Sequence, residues 1–244
     1  VHLRGIIEFS NYCKNSCKYC GLRKENNNLQ RYRISPKEIV SIAEKAGELG
    51  YKTIVLQSGE DDDYDQDKIS WIIKEIKRKV DTAITLCLGE RKYEEYKAWK
   101  KAGADRYLLR HETADYKLYD ELHPNMNLRT RLKRLHWLKE LGYQVGSGNI
   151  IGIPGQNEET IAKDIRLFKK LDLEMVGLGP FISNPNTLLA NYPNGTVAMT
   201  LKTIAITRLL LPRAHIPGTT ALGSIDPRGR EKALQAGANI IMPN

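Results

Sequence analysis

Cysteine, histidine and the larger aromatics are scarce in this 244-residue chain, which has four cysteines, five histidines, three phenylalanines and three tryptophans. Four unevenly spread thiols do not make the disulfide framework of a small secreted domain. No run of about 18 uncharged apolar residues occurs, so no membrane-crossing helix is expected. The sequence enters directly into LRGIIEFS, with no charged leader and long apolar core, so no signal peptide is expected either. Together these absences point to a soluble, cytoplasmic protein that uses no membrane. No two histidines stand at the helical spacing of a metal site, and His136 in RLKRLHWLKEL reads as an ordinary helix residue. The acidic run from Glu60 to Asp67 lacks the central glycine and twelfth-position glutamate of an EF-hand loop. It suits the approach to a helix, where the macrodipole favours anions. Low-complexity linkers and short-period repeats are also missing.

Charge is plentiful but dispersed. Lys and Arg outnumber Asp and Glu by 38 to 29, a net charge of +9. The basic residues lie along helical stretches such as KEIKRKV and KYEEYKAWKKAG, as on solvated helix faces. A basic stripe interleaved with aromatics is not evident, which disfavours nucleic acid as a partner and leaves RNA modification a minor alternative.

What is present is concentrated. CKNSCKYC puts Cys13, Cys17 and Cys20 within eight positions, just after an apolar run. A structural zinc site closes its tetrahedron with four ligands, and the nearest downstream histidine is the distant His111. Three thiolates suit a [4Fe–4S] cluster, each holding one iron and leaving the fourth open for catalysis. A structural zinc loop stays open as the competing reading. A cluster would imply a reducing, oxygen-poor setting.

Along the chain, β-rich runs alternate with amphipathic segments. Strands are expected at 3–10, 52–59, 83–89, 106–112, 145–152, 175–181, 217–223 and 239–244. Ser35-Pro36 opens a helix that ends at Gly50, and Gly103, Gly142 and Gly237 close three others. This predicts an α/β fold, a (β/α)8 TIM-type barrel occupying residues 1–244 as a single domain, trimmed at both ends. Chemistry then belongs at the C-terminal ends of the strands, where the cysteine loop falls. Alternation along the fourth strand sends Arg106, Leu108, Arg110 and Glu112 into the lumen and Tyr107, Leu109 and His111 toward the helices. Such buried charges serve either a ligand or a structural Arg–Glu network. Thr85 and Cys87 share the inner face of the third strand, with Cys87 expected to pack as a small hydrophobe. Glu112 is the one obvious acid among the assigned inward positions.

Cys-x3-Cys-x2-Cys, with Tyr19 before the last cysteine, resembles the signature of the radical S-adenosylmethionine (SAM) enzymes. Gln57-Ser58-Gly59-Glu60 resembles their Gly-Gly-Glu motif, with Ser58 in place of the first glycine. IIEFSNYCKNSCKYCGLR, TIVLQSGED, DRYLLRHETA, GIPGQ, MVGLGPFI, IPGTTALG and GANIIMPN together resemble the HydE family of [FeFe]-hydrogenase maturases from Leu3 to Asn244. The resemblance implies a [4Fe–4S] cluster on Cys13, Cys17 and Cys20, and SAM cleaved reductively to a 5′-deoxyadenosyl radical. It implies SAM contacts from Tyr19, Gln57, Ser58, Gly59 and Glu60, from Glu112 to the ribose, from Arg131 to the methionine carboxylate, and from Met175 and Ile182 beside adenine. Thr85, Arg106, Arg110, Thr219 and Thr220 would line substrate and anion sites. The implied substrate is a cysteine-bound organoiron species attacked at sulfur, with partner maturases and an electron donor as partners. The methylornithine synthases share the fold and offer an amino-acid mutase as the alternative. Thr85 and Gly146 replace two cysteines expected for the auxiliary cluster of biotin synthase, which disfavours sulfur insertion. A second cluster on more C-terminal cysteines is undetermined.

Overall fold

The computed structural model describes residues 1–243, so the expected last strand has its final position, Asn244, outside the described residues. Eight parallel stations close into a barrel. Strand β1 (His2–Leu3) pairs with β8 (Ile240–Ile241), and β2 (Gly5–Ser10) begins a run of neighbours. These are β3 (Thr53–Ser58), β4 (Ala83–Cys87), β5 (Arg106–Leu108), β6 (Gln144–Ile151) and β7 (Met175–Pro180). The expected first strand is therefore divided at Arg4. Its start is held by β8 and the rest by β3, as the two sides of a closing barrel require.

The expected strand at 217–223 is corrected. Only parallel bridges from His215 to Met175 and from Pro217 to Ile240 join β7 to β8, and helix α8 (Thr220–Ile225) follows at once. Thr219, in extended conformation, sits as the N-cap that stops the strand. Regular pairing also ends early on β5. Beyond Leu108 the chain stays beside β6 through Leu109 N to Gly146 O and Glu112 N to Gly148 O, both 2.9 Å. Glu112 takes φ of 64°, left-handed backbone that costs a non-glycine residue on the order of 1 kcal/mol or more.

The helices carry the start and stop signals of the sequence. Ser35 caps α1 (Pro36–Glu48) by accepting from Glu38 N, and Asp65 caps α2 (Gln66–Lys79) through Lys68 N. Gly103, at φ 117°, ends α3 (Tyr93–Ala102) in the left-handed cap that glycine supplies at least cost. Then come α4 (Tyr116–Leu122), α5 (Leu128–Glu140), α6 (Glu158–Lys170), α7 (Val197–Leu210) and, after α8, α9 (Gly229–Gln235).

Strand alternation divides the molecule into two environments. Ile7, Phe9, Ile54, Leu56, Ile84, Leu86, Tyr107, Leu109 and Val176 point outward and meet Ile39, Ile72, Ile73, Trp99, Leu135 and Phe168 of the helices in one core. Fully burying such side chains contributes about 1.5–3 kcal/mol each. The inner face combines polar residues and glycines with a few apolar ones, Val55, Leu108 and Met175. Gly146, Gly148, Gly177 and Gly179 leave the β6–β7 wall without side chains, and a Cβ at Gly148 would meet Gly177 O at 1.9 Å. A smaller cluster of Leu118, Leu122, Ile150, Ile153, Phe181 and Leu189 closes one side of the barrel mouth against Tyr19. Among the described residues, no helix is long and apolar enough to cross a membrane.

Candidate functional site

The cysteine loop leaves the C-terminal end of β2 and is tied down at several points. Arg31 donates to the carbonyls of Asn11, Leu22, Arg23 and Asn26. One planar guanidinium with five donors can gather a loop in this way, and an ammonium cannot. The loop after β3 grips it from the other side. Lys14 N donates to Glu60 O at 3.0 Å, and Gly59 N to Ser10 O at 3.2 Å. Gly59 packs so closely that a Cβ would lie 2.2 Å from Tyr12 O and 2.8 Å from Cys13 Cβ. Asp61 completes the clamp, accepting from Arg33 Nε (2.7 Å) and Nη2 (2.8 Å) and from Ser10 Oγ (2.6 Å). The Arg33 guanidinium stacks on Tyr12 at 3.9 Å. Asp61 thus ties the cysteine loop to the barrel, and α2 begins only at Gln66, five residues after the tie.

Cys13, Cys17 and Cys20 are free, half-buried thiols on one wall of a cavity of about 350 Å³. Burial raises all three above the usual thiol range. Cys17 is pushed up to about 12, by burial first and then by the neighbouring Cys20 and Cys13. Thiolates at this wall need a cation to form, and metal coordination deprotonates a thiol outright. Among the described residues no three His, Cys, Asp or Glu side chains converge as one metal ion would require. Three thiols along one wall match a cluster that gives each its own iron.

Tyr19 is held by its neighbours. Its hydroxyl lies 2.9 Å from His123 Nε2, and His123 Nδ1 lies 2.9 Å from Tyr119 O. A carbonyl only accepts, so Nδ1 carries the proton and Nε2 accepts from Tyr19. Burial pulls His123 down to about 4.

Across the cavity, Arg110 and Glu112 stand together. Arg110 Nη2 lies 3.1 Å from Glu112 Oε2 and donates to Asn149 O at 2.6 Å, yet Glu112 Oε2 and Arg110 Nε have no aligned hydrogen bond. Behind them a fully buried network fixes the backbone. Asp164 accepts from Ala114 N (2.5 Å) and Asn149 Nδ2 (2.6 Å), with His111 Nε2 at 3.5 Å. His111 Nδ1 lies 2.8 Å from Ser147 Oγ. This Ser–His–Asp arrangement is sealed from the cavity and holds the left-handed turn at Glu112. It offers no nucleophile to a substrate.

Arg131 also reaches the cavity, but it is engaged. It is 7% exposed, with Nε 2.9 Å from Glu90 and Nη2 4.0 Å from Glu60. Glu60 folds over Gly89 and accepts from Glu90 N at 2.8 Å, so its side chain serves the loop after β4.

The structure gathers Cys13, Cys17, Cys20, Tyr19, Gln57, Ser58, Gly59, Glu60, Arg110, Glu112 and Arg131 around one cavity. Ile182 and Thr219 line an adjoining one of about 180 Å³ that shares Tyr19 and Arg110. Thr85 lies deeper, in an inner lumen of about 70 Å³ that shares Gln57. Among the described residues, Thr219 Oγ1 and Thr85 Oγ1 are both buried without hydrogen-bond partners.

Four expectations are corrected. Arg106 stands at the N-terminal rim of the barrel, donating to Gln144 (2.6 Å) and Thr53 (3.3 Å), and lines none of these cavities. Met175, the first residue of β7, lies in the inner lumen with its sulfur 3.3 Å from Arg4 Nη1. Some seven residues of extended chain, roughly 20 Å, part it from Ile182, too far to sandwich one adenine. Thr220 is exposed and accepts from Arg230 at 3.4 Å, because it begins α8 and only its predecessor faces inward. Cys87 lines the main cavity beside Gln57 and takes no part in the helix-side core. Burial pushes its thiol up to about 11.

Two features escaped the sequence reading. Glu8 is a second lumen acid, findable by applying strand alternation to LRGIIEFS. Arg4, 6% exposed and drawn down to about 10 by burial and by Arg106, makes the inner lumen cationic.

Three thiols at the C-terminal mouth of a parallel barrel, facing an acid on a strained turn, agree with the comparisons. The chain belongs to the radical SAM superfamily, whose family model matches residues 7–168. Along its full length it is 55% identical to the [FeFe] hydrogenase maturase subunit HydE of Thermotoga maritima, covering 70% of that protein, which places it among the HydE maturases. It is 32% identical to the 3-methylornithine synthase of Methanosarcina acetivorans, over 99% of this chain and 68% of that protein. The crystal structure of methylornithine synthase (PylB) superposes with a TM-score of 0.91 at 27% identity, covering 99% of this chain and 71% of that one.

It is therefore an enzyme that uses a [4Fe–4S] cluster and SAM. The residues present fit both groups. Three thiols without a competing disulfide meet the cluster's need, and Glu112 Oε2, ion-paired with Arg110 but accepting no aligned hydrogen bond among the described residues, is an acceptor suited to a diol.

Proposed function

We propose that this chain works in [FeFe]-hydrogenase maturation, with Cys13, Cys17 and Cys20 holding the cluster. In this reading Ser58, Gly59, Glu112 and Arg131 bind SAM, Tyr19 and Ile182 lie beside its adenine, and Gln57, Thr85, Arg110 and Thr219 face the substrate. The observation that carries the reading is 55% identity over the whole chain to HydE. When bound, the cluster and SAM would supply a 5′-deoxyadenosyl radical, and the substrate in this reading is a cysteine-bound organoiron species. The chain's own residues then bind, orient and exclude water. Glu112 Oε2 accepts from a ribose hydroxyl, and the network behind it keeps that oxygen in place. The unpartnered Arg110 Nε and Thr219 Oγ1 donate to anionic ligands of the substrate. The glycine wall of β6 and β7 leaves room for it. The partners in this reading are other maturases and an electron donor.

A second reading, an amino-acid mutase like methylornithine synthase, is favoured by the TM-score of 0.91 and by Glu8, an acid that a lysine ammonium could use. Supplying the complete protein to a host lacking its own HydE tests the choice. Restored hydrogenase activity without conversion of L-lysine to methylornithine is expected. Methylornithine formation without rescue would overturn the maturation reading.

A further inference from the structure

Glu8 stands on the inner face of β2, between Ile7 and Phe9, which are buried in the helix-side core. Its side chain is exposed to the main cavity and makes one hydrogen bond, accepting from Gln57 Nε2 at 2.9 Å through Oε1. Among the described residues it forms no ion pair, whereas the other cavity charges are matched: Arg110 with Glu112, Arg131 with Glu90. Strand register fixes its height. Glu8 is level with Gln57, and Gln57 with Cys87, while Ser10 is level with Ser58 one layer nearer the cysteines. Glu8 therefore lies beneath the layer that carries the cluster loop, on the side away from the mouth.

An unpaired carboxylate is tolerable while water fills the cavity. When a ligand displaces that water the charge becomes costly, unless the ligand brings a cation. Arg110, in the same cavity, has an Nε without a partner, and the open inner face at Gly177 leaves its Cδ 3.9 Å from where a Cβ would be. One cavity thus offers a free acid and a guanidinium with a free donor, the complement of a zwitterion.

We propose that Glu8 receives the ammonium of the substrate, so that the substrate is an α-amino acid or a complex that retains a free amino group. The inference rests on the radical SAM reading of the site and holds for either substrate considered above. The amino group of SAM is the competing source of the same ammonium, and the layer that Glu8 occupies favours the substrate.

The test uses cluster-reconstituted protein, wild type and Glu8→Gln, with equilibrium binding measured anaerobically in the presence of SAM. The probes are S-methyl-L-cysteine, its des-amino analogue 3-(methylthio)propanoate, and L-lysine. Wild type is expected to bind the amino acid at least tenfold more tightly than the analogue. Glu8→Gln should abolish most of that preference while changing SAM affinity, read by the cluster's EPR signal, less than twofold. Equal binding of the two sulfur compounds by wild type, or no binding of any amino acid, overturns the proposal. A tenfold loss of SAM affinity in Glu8→Gln would assign the carboxylate to SAM and also overturn it. A Glu8-dependent preference for L-lysine over S-methyl-L-cysteine would uphold the role of Glu8 and count against the maturation reading.

Discussion

Replacing Gly59 by alanine puts one methyl group where the β3 loop meets the cysteine loop. The new Cβ would sit 2.2 Å from Tyr12 O and 2.8 Å from Cys13 Cβ. Ordinary contacts between carbon atoms fall at about 3.5–4.0 Å, so one side must retreat by roughly 1 Å. Gly59 has little freedom to move. Its amide donates to Ser10 O, and its carbonyl accepts from Asp61 N (2.9 Å) and Ser58 Oγ (2.7 Å). The cysteine loop, which has no regular secondary structure, is the side that yields, carrying Cys13 with it. Overpacking of this kind costs about 1–3 kcal/mol. For a chain of this size that is a fall in Tm of about 2–12 °C at roughly 2–4 °C per kcal/mol. The larger effect falls on metal binding, because Cys13 loses its alignment with Cys17 and Cys20. Iron and sulfide content and the cluster absorbance after anaerobic reconstitution are expected to drop severalfold, with far-ultraviolet circular dichroism unchanged. Gly177→Ala is the control: its Cβ meets nothing nearer than 3.8 Å, and φ there is ordinary. Full cluster loading in Gly59→Ala at wild-type stability would refute the view that this contact positions Cys13.

Arg131→Ala removes the buried cation beside Glu90 and Glu60 while Arg134 stays paired with Glu90 at 3.2 Å, so stability should fall by about 1–3 kcal/mol in urea titrations. If Arg131 also forks onto the SAM carboxylate, SAM affinity of folded, cluster-loaded protein falls by about 1.5–3 kcal/mol, and unchanged affinity would make its role structural only. His123 provides a pH test. Burial pulls it from 6.5 to about 4 in the folded chain, so between those values the unfolded chain holds the proton that the folded chain lacks. Its contribution is whole above 6.5 and is lost as pH falls toward 4, by up to about 3 kcal/mol. Urea unfolding of wild type and His123→Asn between pH 4 and 7 should show the steeper slope in wild type only, and equal slopes would count against the buried neutral imidazole.

Much of this was legible in the sequence because its signals are local. The spacing of Cys13, Cys17 and Cys20 needs only eight residues to be recognised. Caps at Ser35 and Gly103 act within one helical turn, and the period of two sorted Thr85, Arg110 and Glu112 from Ile84, Leu109 and His111. These signals were enough for the alternating barrel, the end of it that carries chemistry, and the cysteine loop as its centre.

Height along the barrel was decided only by tertiary structure. Alternation says that Arg106 and Arg110 share a face, but they lie four residues apart on a tilted strand, so one reaches the cavity and the other the opposite rim. The same reason parts Met175 from Ile182, and the onset of α8 turns Thr220 away from the lumen that Thr219 faces. Partnership is likewise non-local. Glu60, Glu90 and Arg131 come from three separate loops and helices, and their pairing determines which charges are matched. Glu8 has no ion pair among the described residues and Arg110 is paired with Glu112, an outcome that depends on how all the strands close around the lumen and that the segment of Glu8 does not encode.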